Sequence, residues 1–133
     1  PVTGIRSANG DGNSSTRRDL DWTPLIPTPP FPGYVSGHST FSGAASRILA
    51  LFFGHDALTF STTSDDLPGV VRSFPSLSAA AEEAGQSRIY GGIHFHDGDV
   101  RSRTMGRLCG TQAWEKAKAF WEGRMQPVRV VGQ

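Results

Sequence analysis

Phe41, Ala44, Ala45, Ile48, Leu49 and Phe52 recur at the i, i+3, i+4, i+7 spacing of one helical face. No other stretch constrains the chain as strongly, because a striped helix needs packing partners. Ser36-Gly37-His38-Ser39-Thr40 heads this run and Gly54 closes it. The pattern predicts a helix over 39–53 with Gly54 as a left-handed cap. First-turn N–H groups lack intrahelical partners and the helix dipole favours negative charge there, so phosphate-like anions settle at such a terminus. Gly37 lets the backbone come close to the anion. His38, with hydroxyls beside it, is placed to pass protons to one of the anion's oxygens.

The remaining segments are arranged around this turn. Residues 1–35 are rich in Gly, Pro, Ser and Asn, with a turn cluster at Asn9-Gly10-Asp11-Gly12-Asn13, and predict a loop-dominated entry. Prolines 24, 27, 29, 30 and 32 make a stiff strap from Trp22 to Tyr34 that delivers the chain into Ser36-Gly37-His38. Residues 55–75 lose the helical period and predict a long surface excursion with a short extended piece. Ser76 or Ser78 is placed to cap a second helix carrying Leu77, Ala80, Ala81 and Ala84, with Arg88 at its end. Gly91-Gly92 breaks that helix and leaves His94 at the edge of a tight turn. Asp97 or Asp99 is expected to cap a third helix through Trp121, with Val100, Leu108, Cys109, Ala113, Ala117 and Phe120 as its apolar face. Gly43 and Ala44 in the first helix, and Gly106 and Gly110 in the third, permit close packing. The division expected is one domain over 1–133: loop and strap over 1–35, helical core over 36–122, and a tail over 123–133.

Composition excludes more than it assigns. The 133 residues carry 13 basic and 12 acidic side chains, for a net charge of +1. With no basic stripe interleaved with aromatics, there is no electrostatic footprint for nucleic acid. No apolar run reaches the length of a bilayer span, and no signal segment opens the chain. The lone Cys109 has no internal disulfide partner and is expected to be buried. A start at Pro1-Val2-Thr3 predicts a cleaved or partial product.

Two blocks, TPPFPGYVSGHSTFSGAA at 28–45 and EEAGQSRIYGGIHF at 82–95, resemble the vanadium-dependent haloperoxidases and the related type 2 phosphatidic acid phosphatase superfamily. The resemblance covers most of 1–115. That family's signature is a Lys…Arg-Pro block, then PSGH, then Ser-Arg followed by five residues and a His. Here the second block is Val35-Ser36-Gly37-His38 and the third is Ser87-Arg88, five residues, then His94. The resemblance implies a mainly α fold, the C-terminal half of a helical bundle with long Pro/Gly-rich loops. It implies that Ser36, Gly37 and Arg88 bind the oxygens of vanadate, with phosphate as another occupant of the same site. His94 would be the ligand to vanadium, or the phosphoryl-accepting nucleophile of a phosphatase, and His38 the acid/base. Phe31 corresponds to a halide-pocket position, and Asp97 or Asp99 would orient His94. The implied reactants are hydrogen peroxide and halide, or a phosphate ester. The implied location is secreted or periplasmic.

The first block has no counterpart here: Pro1-Val2-Thr3 resembles the residues just after its Arg, and the only lysines, Lys116 and Lys118, fall in the last helix. A bound anion held by Arg88 alone would be under-compensated, so a preceding polypeptide segment is expected to complete the site. Other readings of the same residues remain. Ser36 and His38 also suit simple helix capping, and Arg88 suits an ion pair with Glu82 or Glu83. His94 and His96 have a His-x-His metal spacing with His38 or Asp97 in support, although Arg88 is an awkward neighbour for a dication. A non-catalytic oxyanion-binding fragment is the alternative outside enzymes. His55 reads as a solvated helix-end residue, and Trp22, Trp114 and Trp121 as core or interface anchors.

Overall fold

A computed structural model describes residues 1–124 of the chain, so nearly all of the expected 123–133 tail lies outside the described residues. The element order is α1 (Val2–Arg6), a 3-10 turn (Ala8–Gly10), α2 (Gly37–Phe53), β1 (Phe60–Ser64), β2 (Leu67–Phe74), α3 (Leu77–Tyr90) and α4 (His96–Trp121). The fold is mainly α, as the helical spacing predicts. Ser36 caps α2 through a side-chain oxygen that accepts from the Ser39 amide, and Gly54 closes it at φ 80°. Ser76, rather than Ser78, caps α3 by accepting from the Ala79 amide. Ser78 instead bonds Asp56 at the foot of the hairpin.

The expected excursion over 55–75 is a β-hairpin. Phe60 pairs with Phe74 and Thr63 with Val71, with a register shift between Thr63 and Ser64. The Phe60 and Phe74 rings meet at 5.4 Å between centroids, a cross-strand aromatic pair that locks the base of the hairpin. Alternation was hidden because both faces of β2 are largely exposed. The entry, expected as loop, contains the short helix α1, and Arg6 Nε donates to the Trp22 carbonyl to hold the strap.

Helices α2 and α4 run in the same direction and touch along a line of small residues. A Cβ on Gly43 would lie 2.6 Å from the Arg103 carbonyl oxygen, and one on Gly110 would lie 2.7 Å from that of Ala44. Gly106 is tighter still, against the Thr40 carbonyl. Backbones this close leave no room for large side chains at the contact. This overturns two expectations about the apolar faces. Phe41, Leu49 and Phe52 of α2 are exposed, while Ser39, Gly43 and Ser46 are buried. Leu108 and Phe120 of α4 are exposed, as is Cys109, and the buried face is Asp99, Ser102, Gly106 and Gly110. Helix α3 packs antiparallel beside them: Leu77, Ala81 and Gly85 are buried, and Gly85 sits against the Asp99 carboxylate. The N-termini of α2 and α4 and the C-terminus of α3 therefore meet at one end. Among the described residues, no helix is long and apolar enough to cross a membrane.

Candidate functional site

That shared end holds His38, Arg88 and His94 of the two sequence blocks. His38 lies in the first turn of α2 and Arg88 in the last turn of α3. His94 stands just before α4, buried at 4% exposure. The Gly91-Gly92 turn between Arg88 and His94 is pressed by the proline strap. The Ile26 amide donates to the Gly91 carbonyl at 3.2 Å, and Trp22 and Pro24 crowd Gly92, which has φ 75°. Any side chain at Gly91 would strike Ile26. Trp22 is thus an anchor of the strap on the turn.

His94 Nδ1 lies 2.6 Å from the carbonyl oxygen of Gly33. A carbonyl only accepts, so Nδ1 carries a proton, and in the neutral ring the lone pair is on Nε2. This corrects the expectation that Asp97 or Asp99 orients His94. Asp97 pairs with Arg101, and Asp99 is held by Arg103 through Nε and Nη2. Neither acid caps α4 either: its N-cap is Phe95, without a side-chain bond, and both acids lie in the first turn. There they favour the positive end of the helix dipole.

Arg88 Nε is buried and has no hydrogen-bond partner among the described residues. A buried, unpartnered guanidinium nitrogen is costly unless an acceptor arrives. His38 holds its proton less tightly than an ordinary histidine. Partial burial is the larger cause, and the positive charges of Arg88 and His94 add to it. The three groups therefore lie within electrostatic reach. Phe31 lines a hollow of about 400 Å³ with Gly37, His38, Phe41 and Ser42. His96 and His55 are exposed, and among the described residues no cluster of His, Cys, Asp or Glu has metal-binding geometry. Lys116 and Lys118 stay on the far part of α4, where Lys118 faces Glu122 at 3.7 Å.

Ser36 is fully buried, and its hydroxyl turns inward. It lies 2.8 Å from Ser39 Oγ, which lies 2.7 Å from Asp99 Oδ1. The Ser36 amide donates to Ser102 Oγ at 2.9 Å. Sequence reasoning missed Gly33, Ser39, Ser102 and Arg103. The only local signals were the spacing of Ser36 to Ser39 and the i, i+4 pair of Asp99 and Arg103.

The geometry agrees with the comparisons to known proteins. The family model described as VCPO second helical-bundle domain matches residues 1–123. A bacterial vanadium-dependent iodoperoxidase crystal structure is 40% identical, with a TM-score of 0.70, over 86% of this chain and 26% of its own. An apo-type bacterial vanadium-dependent chloroperoxidase shares the fold at 23% identity and a TM-score of 0.73, over 94% of this chain and 32% of its own. The holo-type chloroperoxidase matches at 24% and 0.67, over 89% and 30%. The chain thus spans about a quarter to a third of these solved structures. No curated protein matches it. These matches support the haloperoxidase side of the expected resemblance and lend nothing to the phosphatase side.

Proposed function

The chain belongs to the VCPO second helical-bundle domain family, and we propose that it forms the part of a vanadium haloperoxidase site that binds the oxyanion and handles its protons. The observation that carries this is the buried, unpartnered Arg88 Nε in a cluster with His38 and His94. An anionic oxygen is the partner such a nitrogen lacks. The residues fit vanadate for a second reason: the Nδ1 bond to Gly33 fixes the direction of the His94 ring and leaves Nε2 as the nitrogen that ligates when the ring is neutral. Vanadate, when bound, supplies Lewis-acid activation of hydrogen peroxide toward a halide.

The chain's own groups then divide the work. Arg88 neutralises negative oxygens, and the Gly37 amide at the head of α2 adds a donor backed by the helix dipole. His38, whose proton affinity is lowered by partial burial and then by Arg88 and His94, accepts a proton from incoming peroxide and returns it to the product. Phe31 and Phe41 give an apolar wall beside His38 suited to a weakly hydrated halide. Arg88 alone under-compensates a multiply charged anion, so further cations come from a segment outside this chain, the Lys…Arg block of the signature.

The test is vanadate titration calorimetry followed by peroxide-dependent iodide oxidation. It uses the chain alone and joined to any residues that precede Pro1 in its natural polypeptide. Binding and turnover are expected in the extended form, each reduced about a hundredfold or more by Arg88→Ala and by His94→Ala. Vanadate binding without turnover would leave the non-catalytic oxyanion-binding reading. No binding in either form would sink both.

A further inference from the structure

The proline strap meets the 88–94 segment at two hydrogen bonds. The Ile26 amide donates to the Gly91 carbonyl at 3.2 Å, and the Gly33 carbonyl accepts from His94 Nδ1 at 2.6 Å. The chain between these two grips has little freedom to flex. Every residue of 26–32 either is a proline or directly precedes one. The proline ring fixes φ in the first case, and the clash with the following ring restricts the backbone in the second. Phe31 adds a bond of its own, its amide donating to the Pro29 carbonyl at 2.9 Å. The position of the Gly33 carbonyl is therefore tied to that of Gly91.

The first grip is itself firm. Trp22, Pro24 and Ile26 are half-buried and alternate with the exposed Thr23, Leu25 and Pro27, so one side of this extended stretch lies on the turn. Trp22 and Pro24 sit on Gly92, and Ile26 sits on Gly91, where a Cβ would lie 2.7 Å from Ile26 Cδ1. The turn closes through the Ile93 amide, which donates to the Arg88 carbonyl at 3.1 Å, and Ile93 is fully buried. At one end the strap thus grips the turn that follows Arg88, and at the other the ring of His94.

On the oxyanion-site reading above, we propose that the 26–33 strap is a ruler for the His94 ring, with Pro29 and Pro30 as positioning residues. By fixing the reach from Gly91 to Gly33, they hold the carbonyl that sets the direction of the imidazole relative to the segment bearing Arg88. They act through Gly33 and not by contact with the anion. The alternative is that Gly33 is placed from its other side alone, where the Ser36 amide donates to Ser102 Oγ at 2.9 Å.

Pro29→Gly combined with Pro30→Gly frees the strap between the grips while leaving both bonds their donors and acceptors. Ser14→Gly combined with Ser15→Gly is the control, both serines being exposed and upstream of both grips. The parent and both variants are studied in the extended form, under conditions where denaturant unfolding shows them fully folded. A merely structural role for the prolines would show only in that unfolding curve, because exchanging proline for glycine acts there through the unfolded chain. The His94 Nδ1 proton is recorded by NMR before any anion is added, and vanadate is then titrated. The strap variant is expected to lose the Nδ1 signal to exchange with water and to bind vanadate at least about tenfold more weakly, the cost of loosening a group that orients a ligating histidine. The control is expected to match the parent in both. A strap variant with the parent's Nδ1 signal and affinity overturns the ruler and leaves Gly33 placed from the Ser36 side. A lost signal with unchanged affinity overturns the positioning role, since the direction of the ring would then not matter to the anion. A parent that binds no vanadate overturns the oxyanion reading, and the Nδ1 signal of the strap variant still decides whether the strap holds the ring.

Discussion

The two ends of the α2–α4 pair are built from opposite materials. At the end that carries the site, the buried side chains are polar: Ser36, Ser39, Asp99 and Ser102, each held by buried hydrogen bonds. At the far end, Ile48, Leu49, Phe52, Ala113, Trp114, Ala117 and Trp121 line an apolar hollow of about 450 Å³ that is open to solvent. Phe52 meets Trp114 edge-on at 6.3 Å, and Trp114 meets Trp121 at 5.7 Å. Apolar attraction has no direction and tolerates sliding, whereas a short hydrogen bond between buried groups fixes both distance and angle. The tighter geometric constraint of this chain therefore lies at the end that carries the proposed site. The apolar rings sit where an error of an ångström has no chemical consequence.

Asp99→Ala attacks the polar end most directly, because it leaves Arg103, only 13% exposed, without its carboxylate. A loss of about 3–5 kcal/mol in unfolding free energy is expected from denaturant titration, and a loss under about 1 kcal/mol would mean that water replaces the pair and the contrast between the ends is illusory. At the far end, Trp121 is 71% exposed. Trp121→Ala is expected to change stability by no more than about 0.5 kcal/mol, and a larger cost would show that the open aromatic cluster carries the fold after all.

The smallest effect concerns pH. The folded chain depresses the proton affinity of His38, by partial burial first and then by Arg88 and His94, so the unfolded chain binds more protons in that window. Its contribution to stability is complete above the ordinary histidine value and is lost as pH falls through the depressed one. Solvent screening keeps this contribution small for an exposed ring. Arg88→Gln is expected to raise the His38 midpoint toward the ordinary value in an NMR titration of the imidazole protons. An unchanged midpoint would leave partial burial and His94 as the causes and remove Arg88 from the electrostatic reach of His38.

Local chemistry made much of this legible in the sequence. A cap needs a hydroxyl three residues before an amide, and a helix end needs a glycine at positive φ, so Ser36 and Gly54 announced their roles and Ser76 stood beside Ser78 as one of two candidates. The same locality placed Arg88 and His94 on either side of the Gly91-Gly92 turn. The hairpin was not legible, since an exposed β2 has no alternation to reveal. Nor was the buried face of α4, where Asp99 and Ser102 lie inside and Leu108 outside.

The sequence by itself determined the extent of α2 and the presence of α3 and α4, and it placed the two motif blocks at their ends, because capping and periodicity act within one helical turn. Only the tertiary structure decided which groups aim the site. His94 is oriented by the Gly33 carbonyl, 61 residues away, and every backbone carbonyl is an equally good acceptor until folding chooses one. The glycine seam chose the buried faces in the same way: once Gly43, Gly106 and Gly110 let two backbones touch, sterics admitted Ser39 and Asp99 to the interior and turned Phe41 and Leu108 to solvent.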